Sequence, residues 1–373
     1  MLDDGGDRLA EAVVGCVGVL RPAVGRDWTR VRAGRLDRNC HDTALHLADA
    51  LLAYAAALAG RAQNALVPFA LRLPDGTDNS GLLDVIEATG ALLTAAVRTA
   101  PREARAVHRN PFGTAGREGF AAMGVAELLL HTHDIAVGLG LSHQPPAELA
   151  EFVLTRLLPH VRPGPGQGDT LLWATGRGEL PGHAPVTDWH WSHDLVLPTE
   201  RLTLQGVTPA SAADLVRGGD GGFGWLDGGP FEGTREAAAH LIKLYRQGVH
   251  RPEFGLFVLV RRVDGRAVGG VGFHGVPDEE GRAEIGYDLV EGARGQGYAT
   301  EALGALTAWA LARDDVRALC ATVEERNTAS QRVLARTGFA RASVVDEGTA
   351  PEVDGMELPL RLYVINGTDR RVS

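Results

Sequence analysis

Lysine is almost missing from this chain of 373 residues: Lys243 is the only one, and the remaining fixed positive charge is arginine. Lys and Arg together number 37 against 47 Asp and Glu, a formal net charge of −10. A chain so short of positive charge lacks the basic face that neutralises phosphates, which excludes general nucleic-acid binding. Cysteine is scarce too. Cys16, Cys40 and Cys320 are odd in number and far apart, so they read as free thiols in a reducing compartment and exclude a disulfide framework. Apolar runs are broken by polar residues before reaching the ~18 a membrane span needs, so no membrane partner is expected. The opening "MLDDGGDRLAEAVV" is acidic and has no basic n-region, so it does not read as a signal peptide, and a cytoplasmic location is expected.

Length makes two domains the prior, since one core stops growing beyond ~250–300 residues. The first half reads as helices over residues 7–22, 39–62, 80–101, 117–140 and 146–161. Asn39 and Ser80 stand as caps, and Pro101 and the glycines at 138 and 140 as stops. Such amphipathic helices joined by moderate loops imply an all-α four-helix bundle. "TLLWATGRGEL" is a short apolar element, and "PVTDWHWSHD" alternates like a strand. Near Leu197 the pattern changes to period-two segments, "RLTLQGVT", "LFVLVRRVDGRAVGGVGFHG", "RAEIGYDLV" and "RALCATVEE". "VDGR" suits a hairpin turn, and helices are expected over 298–313 and 328–339. The expected division is therefore 1–194 and 195–373, the second an α/β unit with a mixed, mostly antiparallel sheet.

Two stretches carry chemistry. In "EGARGQGYATEALGALTAWAL" a strand runs into a glycine-rich turn and then a helix. Gly295 and Gly297 let the backbone approach a ligand, and the amides at the helix start favour an anion such as a pyrophosphate. The spacing is neither GxGxxG nor a Walker loop. In "VAELLLHTHDIAVGLG", steps of about 100° put Glu127, His131 and Asp134 on one helix face, while His133 points about 160° away from His131. Glu127 and His131 can share a metal ion, and His46, on the helix over 39–62, can supply a third ligand. Asp42 or Asp49 can orient its ring. His, Glu, His and an open position suit catalytic zinc, and nickel or iron would accept the same set.

Arg294-Gly-Gln-Gly297-Tyr-Ala299 resembles the pyrophosphate loop of the GNAT acetyltransferases. "NTASQRVLARTGF" resembles their N-x-x-S…G-F segment, and "PTERLTLQGVTPASAADL" the opening of the ribosomal-protein (Rim-type) branch. The resemblance covers roughly residues 196–365. It implies that acetyl-CoA is held by the backbone of Arg294, Gly295, Gln296, Gly297, Tyr298 and Ala299. It also implies that Leu289 and Val290 lie along the pantetheine arm and that Asn327 and Ser330 touch the cofactor. Glu284 is then the base that deprotonates the acceptor amine, because an ammonium is no nucleophile. Many members place a tyrosine acid where this chain has Leu334, which leaves Ser330 as the implied acid.

The pattern H…E-x-x-x-H-x-x-D, with "HDTALHLADAL" and "LLWATGRGELPG", resembles the mycothiol-dependent maleylpyruvate isomerase family. Those proteins have a DinB-like metal-binding bundle, and the likeness covers about residues 7–192. It implies His46, Glu127 and His131 as ligands of a divalent metal, zinc by its ligand set, and a low-molecular-weight thiol as partner. The expected activity is acetyl transfer to a primary amine of a small molecule or peptide N-terminus. The alternatives are a metal- or ligand-sensing bundle that regulates the acetyltransferase, and a bundle that is itself a thiol-dependent transferase or isomerase. The acceptor pocket is expected in the loop 216–234, where Phe223, Trp225 and Phe231 can line it or pack locally.

Overall fold

The computed structural model describes the whole chain except residues 1–3, 63–66, 69, 103, 108–113, 163, 165, 188, 190, 192–194, 227–228, 343–359 and 368–373. It divides into two compact units, residues 1–194 together with 208–210, and residues 195–207 together with 211–373. Each unit has its own buried apolar core.

The first unit is built of α1 (Gly5–Leu20), α2 (Cys40–Gly60), α3 (Asn79–Thr99), the short pair β1 (Arg105–Val107) and β2 (Thr114–Gly116), α4 (Arg117–Gly138), α5 (Ala147–Leu157) and α6 (Gln167–Ala174). Helices α1 and α2 each pack on α3 and α4, and α5 packs between α4 and α6. Asn39 caps α2 by accepting from the Asp42 amide at 2.7 Å, as its position suggested. The cap of α3 is Asp78, which accepts from the Gly81 amide at 2.8 Å, and Ser80 lies inside the first turn. Helix α4 is apolar almost all round, and from Phe120 to Ile135 only His133 is not buried. A helix with no wet face belongs in the middle of its unit. Glu127, His131 and Asp134 are therefore interior groups and not a polar edge.

The start of "TLLWATGRGEL", Thr170–Ala174, is the C-terminal part of α6, and the residues after it run on as turn and loop. The strand expected in "PVTDWHWSHD" needs correction. Among the described residues of "PVTDWHWSHD" there is no strand. Trp189 and Trp191 belong to the helical core, so the alternation reflects two aromatic anchors on an irregular segment. By length and composition Cys40–Gly60, Asn79–Thr99 and Arg117–Gly138 are long and apolar enough to cross a membrane. This corrects the expectation that no stretch qualifies: scattered polar residues interrupt these runs without lowering their mean hydropathy enough.

The second unit comprises β3 (Val196–Pro198), β4 (Leu202–Gly206), α7 (Pro209–Val216), α8 (Glu232–Gln247), β5 (Leu256–Arg261), β6 (Ala267–Phe273), β7 (Arg282–Leu289), α9 (Tyr298–Leu311), β8 (Ala318–Glu324), α10 (Thr328–Arg336), β9 (Ala340–Arg341) and β10 (Leu360–Asn366). The eight strands form one sheet in the order β3-β4-β5-β6-β7-β8-β10-β9. Every pairing is antiparallel except β7 with β8. The parallel ladder joins Arg282, Ala283 and Glu284 to Ala318, Leu319 and Cys320. Both strands run on past it, β7 to Leu289 and β8 to Glu324, outside that ladder. The sheet therefore opens between them. Successive strand residues point to opposite faces. Asp288 meets α8 through Thr234, and Tyr287 meets α10 through Ser330, so α8 and α10 cover opposite faces.

Candidate functional site

In the helical unit one cluster among the described residues could hold a metal ion. The ligand atoms of His46, Glu127 and His131 all lie within 4.8 Å of one another. The His46 and His131 rings stand edge to face at 5.2 Å, and His131 Nε2 is 3.0 Å from Glu127 Oε2. His131 Nδ1 lies 3.3 Å from Asp134 Oδ2. Asp134 is in turn gripped by Arg177 through Nε and Nη2, each about 3.0 Å from Oδ2. The second Glu127 oxygen accepts from the Tyr54 hydroxyl at 2.8 Å. Burial pushes the Glu127 carboxyl up, but His131, His46 and Tyr54 together outweigh it and hold it near 2. Burial likewise lowers His131, and hydrogen bonds to Asp134 and Glu127 reverse the sign.

His133 stands apart from the trio. Its Nδ1 is buried without a hydrogen-bond partner among the described residues. Neither carboxylate proposed to orient His46 does so in the observed contacts. Asp42 takes part in the α2 cap, with Asn39 Nδ2 at 2.9 Å, and Asp49 accepts from the Leu71 amide at 2.7 Å. Nothing local in the sequence marks Tyr54 and Arg177, whose partners lie 73 and 43 residues away.

In the sheet unit the glycine-rich turn leads directly into α9. Gly295 and Gly297 have φ of +74° and +82°, the left-handed region where a side chain is strained. Gly297 is the N-cap, and no side chain caps the first turn, so its amides point out unsatisfied by the helix. The loop's own side chains tie it down. Arg294 Nε donates to the Leu289 carbonyl at 3.2 Å, and Gln296 Nε2 to the Gly292 carbonyl at 2.9 Å. Arg201 is a further clamp. Its Nη1 donates to the Gln296 carbonyl at 2.9 Å, its Nε to Glu301 at 2.7 Å, and its guanidinium lies 4.8 Å from the centre of the Tyr298 ring. No local motif reveals it, since Gln296 is 95 residues away.

Glu284 ends the β7–β8 ladder, at the mouth of the opening. Its carboxylate lies 3.4 Å from His274 Nδ1, and Thr322 on β8 also donates to it. The hydrogen bond from His274 pulls Glu284 below the usual carboxylate value against burial. Leu289 pairs with Gly269 and Val290 is fully buried, its amide donating to the Val268 carbonyl at 3.0 Å. Asn327 caps α10, its side chain accepting from the Ser330 amide at 3.0 Å. The Tyr287 hydroxyl donates to the Ser330 carbonyl at 3.1 Å, and burial pushes that phenol up to about 12.

Residues 201–340 match the Acetyltransferase (GNAT) domain family. The uncharacterized N-acetyltransferase YjdG of Bacillus subtilis (strain 168) is 40% identical over 150 residues, which cover 39% of this chain and 89% of YjdG. The chain belongs to the GNAT acetyltransferase family. The uncharacterized N-acetyltransferase p20 of Bacillus licheniformis is 33% identical over 88 residues, 24% of this chain and 49% of p20. Among solved structures, the ribosomal L7/L12 alpha-N-protein acetyltransferase RimL in complex with coenzyme A is 20% identical. That match covers 46% of this chain and 98% of RimL, with a TM-score of 0.34.

Where the family resemblance implies a tyrosine acid, this GNAT acetyltransferase has Leu334. Leu334 is fully buried in the sheet unit's core and has no proton to give. Of the loop aromatics, Trp225 is buried and bonded through its indole N–H to the Asp220 carbonyl at 2.8 Å. Phe223 packs on it edge to face, and Phe231 is 36% exposed beneath the Arg294 guanidinium. Cys320 is a thiol pushed up to about 11 by burial, which suits packing and not nucleophilic attack.

Proposed function

We propose that the protein is an acetyl-CoA-dependent N-acetyltransferase acting on a primary amine, of a small molecule or a peptide N-terminus, in the cytoplasm. The observation that carries this is the parting of β7 from β8 beside a glycine-rich turn with uncapped amides. Open space at Gly295, where an added Cβ would meet nothing within 4 Å, supports the fit of a bulky phosphate group. Acetyl-CoA, when bound, supplies an activated acetyl group. The amides from Arg294 to Ala299 hold its pyrophosphate, helped by the positive end of α9. The free edge of β7, which ends at Leu289, and the following Val290 run along the pantetheine arm, with Asn327 and Ser330 on the far side. The Glu284–His274 pair receives the proton that the amine must lose. Backbone amides at the strand edge stabilise the charge on the carbonyl oxygen. The acceptor enters past the loop 216–234, with the exposed Phe231 as its apolar wall.

Isothermal titration with coenzyme A, followed by acetyl-CoA with an amine panel and detection of free thiol, tests this reading. Binding and thiol release are expected, and failure to bind coenzyme A at about 1 mM, the upper end of ordinary KM values, would overturn it.

For the helical unit we propose a DinB-like four-helix bundle holding a divalent metal, zinc by its ligand set, on His46, Glu127 and His131. The cluster of three ligand atoms supports it. A metal held there would lower the pKa of a bound thiol or water. Asp134, fixed by Arg177, keeps the proton on His131 Nδ1 and leaves Nε2 for the ion, and Tyr54 occupies the second Glu127 oxygen. The same cluster suits two roles for the bundle beside the acetyltransferase, a thiol-dependent transferase or a metal sensor. Metal content and thiol-transfer assays on the full chain separate these.

A further inference from the structure

We propose that His274 is the group that takes the proton from the acceptor amine, and that Glu284 serves to hold its ring. This rests on the acetyltransferase reading above and says which member of the pair does the chemistry. His274 follows directly on β6, and its amide donates to the Glu284 carbonyl at 3.0 Å, so ring and carboxylate stand on neighbouring strands. With Nδ1 3.4 Å from Glu284 Oε2, the Nδ1 proton belongs to that contact and Nε2 keeps a lone pair. Gly286 decides where Nε2 goes. A Cβ at Gly286 would stand 2.9 Å from His274 Nε2, so the ring leans along β7 into space that only a glycine leaves. Gly286 lies two residues beyond the last rung of the β7–β8 ladder. Nε2 is therefore over the stretch of β7 that has parted from β8, on the α8 face.

Accessibility points the same way. The His274 side chain is 58% exposed and Glu284 only 28%, and Thr322 already engages the carboxylate. Among the described residues, two titratable groups meet His274 from adjoining elements. Glu284 on β7 meets the ring, and His240 on α8 meets only the backbone carbonyl, at 2.7 Å. The hydrogen bond to Glu284 raises His274 above the ordinary histidine value against burial, and the same contact lowers Glu284. The proton affinity that suits base catalysis near neutrality thus resides on the ring.

The amine arrives as an ammonium, and Nε2 accepts one of its protons. The freed lone pair forms the C–N bond at the thioester carbonyl carbon, and the C–S bond breaks. The second proton shed by that nitrogen goes to the departing thiolate, and the imidazolium returns its proton to water.

The test is kcat/KM against pH with acetyl-CoA and spermidine, tyramine and an alanine-initiated peptide as probe amines. Activity needs the neutral ring, so it is present above the raised His274 pKa and lost as pH falls through it. His274→Gln is expected to lose this acid limb and about 100-fold of kcat or more. The KM for acetyl-CoA should hold, and coenzyme A binding measured on each variant confirms the fold. Glu284→Gln should keep the limb and move it to lower pH. A limb and rate retained in His274→Gln but lost in Glu284→Gln would make the carboxylate the base and overturn the proposal, with the acetyltransferase reading intact. If none of the three amines turns over, nitrogen shifts of the His274 ring give the answer. A neutral ring protonated at Nδ1 sustains the assignment, and one protonated at Nε2 overturns it. Failure of the wild-type protein to bind coenzyme A overturns both readings together.

Discussion

His46, Glu127 and His131 would act through side chains, at three positions on two helices, whereas the loop from Arg294 to Ala299 would act through its backbone. In the helical unit the fold supplies distance: α4 is buried almost all round, so its interior carboxylates and His131 need partners close by. Glu127, His131, Asp134, Arg177 and Tyr54 meet that need in one chain of contacts. In the sheet unit the fold supplies conformation, and the side chains of Arg294 and Gln296 are spent on holding the loop. A site made of side chains should fail at one substitution. A site made of backbone should ignore most substitutions and fail where a Cβ cannot be tolerated.

The largest effect expected from this contrast is at the trio. His46 is exposed, so His46→Ala removes a ligand with little cost to folding. Divalent-metal affinity should fall by more than about 100-fold, beyond the roughly 10–100-fold that loss of an outer partner such as Asp134 brings. Metal analysis of dialysed protein reads this directly. Equal and negligible zinc in wild type and variant would remove the metal from the comparison. A smaller effect is expected at the glycine loop. Gly297→Val forces a branched residue to φ +82° with its Cβ 3.3 Å from Arg201 Nη2. The left-handed strain of about 1–2 kcal/mol should appear as roughly a ten-fold rise in the KM for acetyl-CoA. Gln296→Ala should change it by less than about two-fold, because in the proposed reading its backbone N–H, not its side chain, would meet the ligand. A large effect of Gln296→Ala would break the contrast.

What the sequence makes legible follows from range. The spacing of Glu127 and His131 at four residues, and of the glycines before α9, is local, and a helix or turn fixes the outcome. His46 could be found because its helix is plain in the pattern. Arg201, Tyr54 and Arg177 reach partners across tens of residues, and nothing local marks them. His274 sits at a strand end, and its role depends on strand register and on the gap at Gly286, neither of which a single sequence exposes. Local chemistry was degenerate elsewhere. In "DNS" each residue is a good cap, and Asp78 takes the role expected of Ser80. Alternating tryptophans read as a strand, although in an irregular segment they serve equally as anchors.

The smallest predicted effect concerns Asn327, where the family resemblance expects cofactor contact and the structure gives a helix cap. Its side-chain oxygen accepts from the Ser330 amide at 3.0 Å, at the start of an exposed, nine-residue helix. Asn327→Ala should cost about 1 kcal/mol as a lost cap. For a unit of this size that is a fall of roughly 2–4 °C in melting temperature. Asn327→Ser keeps a capping oxygen and should restore the melt. The two variants divide cap from contact. If Asn327 only caps, the KM for acetyl-CoA follows the melting temperature, normal in the serine variant and at most slightly raised in the alanine variant. If the carboxamide also touches the cofactor, the serine variant melts normally and still binds acetyl-CoA more weakly. Even this side chain would then fit the contrast in one sense: it works by fixing backbone at a helix start, and a direct contact would be its second use.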